Sequence, residues 1–130
     1  MPHPKLSSLN LSLSRQVYHT LISGSLAVLF VFALPNCQLR IFAQAAAKLT
    51  GLLTGAPVFK ISEGWLLPIK GQDILVNTAC SGSDFFLMLT LLLSWQLPIL
   101  IKRRSLCIAC SLTVGLVLTC LLNALRIICL

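Results

Sequence analysis

Three long apolar blocks separated by short polar breaks organise the chain. The first, residues 17–34, follows a polar, basic start carrying Lys5 and Arg15 and stops at Pro35-Asn36. The second, residues 81–101, opens on Ser81, Ser83 and Asp84, residue types that satisfy the free amides of a helix start, and holds Pro98 near its far end. The third, residues 105–130, follows Lys102-Arg103-Arg104. Each block is long enough for a helix to cross hydrocarbon. Residues 37–55 behave differently: Arg40, Gln44 and Lys48 recur among apolar residues at helical spacing, which predicts an amphipathic helix suited to an interface. In residues 56–79, Pro57, Gly64, Pro68 and Gly71 punctuate short β-prone runs, predicting strands and turns with Trp65 as an interfacial anchor. The expected fold is mainly α: a polytopic membrane helical bundle of about three transmembrane helices, an interfacial amphipathic helix and a short β-hairpin-like surface segment. All of it forms one membrane domain over residues 1–130.

Composition strengthens this picture. The 130 residues are 57% hydrophobic and only 10% charged, and the mean hydropathy of +0.94 makes bilayer the natural solvent. The net charge of +7 is dispersed along apolar hairpins rather than gathered on a water-exposed face, which argues against nucleic acid as a partner. The basic excess is better read as topology. A tight Lys102-Arg103-Arg104 turn marks the cytoplasmic side, so the second span runs outside to inside and the third returns. Arg40, Lys48, Lys60 and Lys70 in residues 36–79 count against this, but the rule is read mainly from short loops. A signal peptide competes with a retained first span; the absence of a small-x-small pattern at the Pro35-Asn36 break favours retention. Four of the six cysteines (Cys107, Cys110, Cys120, Cys129) lie within the third block and read as small packing residues, Cys107-x-x-Cys110 included. No metal or cofactor is assigned.

One constellation could carry chemistry. Cys80 lies 23 residues before Arg103 and Arg126 lies 23 after it. At about 1.5 Å rise per residue each arm covers about 35 Å, near one bilayer crossing. Cys80 and Arg126 are therefore expected at similar depth. A thiol at a helix N-terminus, near a guanidinium that is costly in an apolar helix, is favoured as thiolate, and free amides there can hold a developing oxyanion. Asn123, one turn before Arg126, falls on the same face and could orient the guanidinium or a substrate carbonyl. The plain alternative makes Cys80 a small buried residue, Asn123 an interhelical polar contact and Arg126 a snorkelling anchor.

The run Val76-Asn77-Thr78-Ala79-Cys80-Ser81-Gly82 enters an apolar helix from a strand-like segment, and one basic hairpin later comes Asn123-Ala124-Leu125-Arg126-Ile127. Together, over residues 55–130, these resemble the exosortase and archaeosortase family. The resemblance implies a membrane cysteine transpeptidase or protease of the inner membrane, with its active face non-cytoplasmic. Its implied partners are membrane-anchored exported proteins bearing C-terminal sorting signals: a Pro-Glu-Pro motif, an apolar helix and a basic tail. On that reading Cys80 attacks the scissile carbonyl, Arg126 stabilises thiolate or oxyanion, and Ser81 and Gly82 shape the turn that exposes the nucleophile. The family's histidine, on a helix after the arginine, has no counterpart in the four residues that follow Arg126. Ser83-Asp84-Phe85 also departs from the family's usual residues. A second subunit or downstream fragment is the expected source of the histidine, because His19 is expected on the cytoplasmic side and His3 lies in the polar start. Asp84 is an electrostatic neighbour or a helix-start carboxylate. The alternative function is a non-catalytic membrane protein, a family remnant or structural subunit that binds transmembrane helices.

Overall fold

The structure is a computed structural model that describes residues 4–33 and 38–130; the Pro35-Asn36 break, Cys37 and His3 lie outside the described residues. Four helices and three strands follow in order. Helix α1 (Pro4–Ala33) leads into a π-helical turn (Gln38–Ala43) and α2 (Gln44–Thr54). Then come β1 (Phe59–Ile61), β2 (Gly64–Ile69), β3 (Gln72–Val76), a 3-10 turn (Thr78–Cys80), α3 (Ser83–Leu100) and α4 (Arg104–Cys129). Three stretches are long and apolar enough to cross a membrane: Asn10–Ala33, Thr78–Leu100 and Arg104–Cys129.

Two helix boundaries and the number of paired strands differ from the expected pattern. The first helix reaches back through Arg15 to Pro4, because polar residues there continue a helix that no interior Pro interrupts. The third strand makes a meander of what the sequence suggested as a hairpin, with order β1-β2-β3 and both pairs antiparallel. Its last connection is the two-residue Lys70-Gly71 turn, both residues at positive φ (52° and 79°), whose twist suits a tight hairpin. The central strand tolerates Pro68 because β1 pairs only with Gly64 to Leu66, leaving Pro68 laddered on one edge. The second apolar helix begins at Ser83, not at Ser81, because Gly82 takes a left-handed conformation (φ 73°) that breaks the chain between the 3-10 turn and α3.

Helix α3 packs between α1 and α4, and all three bury a face of mostly small or polar residues at intervals of four. On α1 the buried positions are His19, Ser23, Ala27 and Val31; on α3, Phe86, Thr90, Ser94 and Pro98. Helix α4 continues the pattern with Cys107, Ser111, Gly115, Thr119 and Asn123. Such residues let backbones approach closely, as helices do where no hydrophobic effect drives them together. Ser111 and Thr119 donate back to the carbonyls of Cys107 and Gly115 at 2.9 and 2.7 Å, which satisfies their hydroxyls without a partner helix.

The sheet caps one end of this bundle. Leu67, Ile69 and Val76 on its inner face pack with Ala43, Ala46 and Ala47 of the π turn and α2 and with Ile127 of α4. The π turn is tied to the bundle by Phe42, which meets Phe86 of α3 at 5.3 Å and Phe30 of α1 at 6.2 Å between ring centroids. The turn carrying Cys80 is thus held between a rigid layer and the start of α3.

Candidate functional site

Asn77 sets the site up. Its Oδ1 accepts from the Ala79 amide at 3.0 Å, capping the 3-10 turn, while the amides of Cys80 and Ser81 bond the carbonyls of Asn77 and Thr78 at 3.1 Å. Cys80 therefore sits at the end of a capped turn, three residues before α3 begins. Across from it Asn123, almost fully buried, donates from Nδ2 to the Cys80 carbonyl, a direct link between the two arms of the α3–α4 hairpin. The Asn123 Oδ1 has no partner among the described residues.

Gly82 is needed twice over at this crossing. Its φ is one that side chains rarely adopt, and a Cβ there would stand 3.1 Å from the Asn123 Cγ. Gly82→Ala is expected to lower stability by about 1–3 kcal/mol, read as a drop in the midpoint of unfolding in detergent. An unchanged midpoint would show that the turn does not need this conformation.

The structure brings the five sequence-predicted residues, Cys80, Ser81, Gly82, Asn123 and Arg126, to one turn, though Cys80 and Arg126 do not pair. The half-buried Cys80 side chain packs against the apolar cluster that includes Ile127. Arg126, one residue earlier on α4 and so turned by about 100°, is exposed on the other side. There it lines a cleft of about 190 Å³ with Thr78, Ser81, Gly82, Asp84 and Phe85, which Cys80 does not line. Among the described residues Arg126 makes no hydrogen bond or ion pair, Asp84 included. The Asp84 and Phe85 amides, in the first turn of α3, find no acceptor among the described residues either. A cation and free helix-start amides around one small polar cleft favour an anion or a developing oxyanion. Ser81 is buried at the cleft wall, and its Oγ accepts from the Ser83 amide at 3.4 Å and lies 3.3 Å from the Ser83 Oγ, so its hydroxyl is engaged within the turn.

His19 is far from this cleft. It is buried on α1 one turn after Arg15, whose Nη2 donates to the carbonyls of Ile101 and Lys102 at the opposite end of α3. Both ring nitrogens lack a partner among the described residues. No three His, Cys, Asp or Glu side chains among the described residues gather as metal ligands would. Sequence reasoning missed Thr78, Ala79 and Phe85 as cleft residues, although their adjacency to Cys80 and Gly82 was the available signal. Comparison of the chain with protein-family models, curated proteins and solved structures finds no match.

Proposed function

We propose that this chain is an exosortase-like cysteine peptidase or transpeptidase of the inner membrane. Its Cys80 acts at the non-cytoplasmic face on the C-terminal sorting signals of membrane-anchored proteins. The observation that carries this reading is the Asn123 bond to the Cys80 carbonyl, which joins the two arms of the hairpin where an unpaired Arg126 borders the cleft. The outward faces of the helices support the membrane setting: Leu29, Phe32, Leu92, Ile99, Val117 and Leu125 are all exposed while small and polar residues face inward.

In the proposed step the Cys80 sulfur attacks the scissile carbonyl carbon, the C–N bond breaks, and the departing amine takes a proton. A thioester remains, to be resolved by water or by an amine. Arg126 swings from the cleft toward the carbonyl and, with the amides at the start of α3, holds the oxyanion. A histidine of a second subunit is assigned to take the thiol proton and pass it to the departing amine; among the described residues no imidazole lies beside Cys80. A second reading, a non-catalytic protein that binds transmembrane helices, is favoured by one observation: the Cys80 side chain packs against the buried apolar cluster of the sheet, α2 and α4 rather than lining the cleft.

Co-expression with a protein ending in a Pro-Glu-Pro motif, apolar helix and basic tail tests the enzyme reading by the size of that protein. Topology is tested separately by an impermeant thiol reagent on otherwise cysteine-free versions. Cys80 and Cys129 are expected to label from outside intact cells, and a Lys102→Cys variant only after the membrane is opened. Labelling of Cys80 and position 102 from the same side would remove the hairpin from the argument.

A further inference from the structure

The end of the bundle opposite Cys80 holds a second polar cavity, of about 840 Å³, between α1 and the α3–α4 connection. Ser14, Arg15, Gln16, Tyr18 and Arg104 line it. The Arg104 guanidinium lies over the Tyr18 ring at 5.6 Å, and Arg15 is anchored by its Nη2 on the Ile101 and Lys102 carbonyls at 2.7 and 2.6 Å. Two cations are thus held in fixed positions on the wall, and the buried Arg15 Nε has no partner among the described residues. Lys102 and Arg103 add charge on the same connection. No acidic side chain among the described residues neutralises them: Glu63, Asp73 and Asp84 belong to the sheet and to the start of α3. Ser12 and Pro98 complete the wall, and Leu11 and Ile99 are largely exposed at its edge.

We propose that this cavity is a binding site for the phosphodiester headgroup of an anionic phospholipid. Arg15 and Arg104 hold the phosphate, the Tyr18 hydroxyl reaches the headgroup, and Leu11 and Ile99 meet the acyl chains. A free phosphate would suit the cations, but it would leave the apolar edge without an occupant. The Lys and Arg bias assigns this end to the cytoplasmic leaflet, where anionic lipid is enriched. The site rests on the membrane setting alone and not on thiol chemistry.

Native mass spectrometry of the full chain, purified in detergent and offered equal amounts of phosphatidylglycerol and phosphatidylcholine, tests it. The wild type is expected to retain phosphatidylglycerol preferentially, and Arg104→Gln to cut that preference by about fivefold. Arg103→Gln, which removes the same charge from a residue outside the cavity wall, is expected to keep it. Equal retention of the two lipids by the wild type overturns the proposal without any variant. Equal losses in Arg104→Gln and Arg103→Gln overturn it in favour of diffuse surface charge, and equal competition by soluble glycerol phosphate overturns the assignment to lipid. Loss of substrate processing in Cys80→Ala with lipid preference intact separates this site from the peptidase reading.

Discussion

Cys80→Ala is expected to abolish processing of a co-expressed substrate, and Arg126→Ala to slow it by about 10²–10³, the usual cost of one oxyanion donor. The two effects differ because the residues do different things. Without the sulfur there is no acyl intermediate, and the neighbouring hydroxyl does not replace it: Ser81 is buried and bonded to Ser83. Without the guanidinium the amides at the start of α3 still remain to hold the oxyanion, so a residue of activity survives. Arg126→Lys should recover only part of it, since an ammonium offers a point charge in place of a planar fork. Because Arg126 is exposed and makes no bond among the described residues, its removal should leave folding intact. That makes loss of processing in a well-folded Arg126→Ala protein informative. Processing at wild-type rates in both Cys80→Ala and Arg126→Ala would sink the catalytic reading and leave the helix-binding one.

The parts of this fold legible in the sequence were those governed by local pattern. Long apolar blocks around Lys102-Arg103-Arg104 announce three membrane-length helices, since charge and hydrocarbon exclude one another over a few residues. Gly64, Pro68 and Gly71 mark the strand-rich segment because each restricts the backbone where it stands. Counting outward from the hairpin also anticipates that Asn123 and Arg126 return to the neighbourhood of Cys80. What the pattern could not convey was direction around the helix axis. Ile127 and Arg126 are neighbours in sequence, yet one packs in the same apolar cluster as the thiol and the other turns into the cleft. The Arg15 clamp joins residues 86 apart and leaves no local trace. The recurrence of small residues every four positions on α4 was readable, but hydropathy averages it away because the leucines between them dominate the mean.

That recurrence leads to the largest stability effect expected. Gly115→Leu should destabilise the chain by about 1–3 kcal/mol or more, the cost of overpacking a closed interface. At Gly115 even a Cβ would stand 2.8 Å from the Thr90 Oγ1 and 3.5 Å from the Thr90 backbone nitrogen, so a leucine must drive α3 and α4 apart. Val114→Leu, one residue away on the exposed face, supplies the control and should be near neutral. Thr90 offers a sharper test. Its hydroxyl has no partner among the described residues, so Thr90→Ala gives up little and opens space where the new side chain must go. The double variant Thr90→Ala with Gly115→Ala should therefore be more stable than the sum of its single changes implies, a coupling read from unfolding midpoints in mixed detergent. Simple additivity would mean that the two residues do not meet. The same experiment reaches the site, because the bond from Asn123 to the Cys80 carbonyl exists only while α3 and α4 stay in register. Gly115→Leu should lose processing in parallel with stability even though it touches neither Cys80 nor Arg126, whereas Arg126→Ala should lose processing alone.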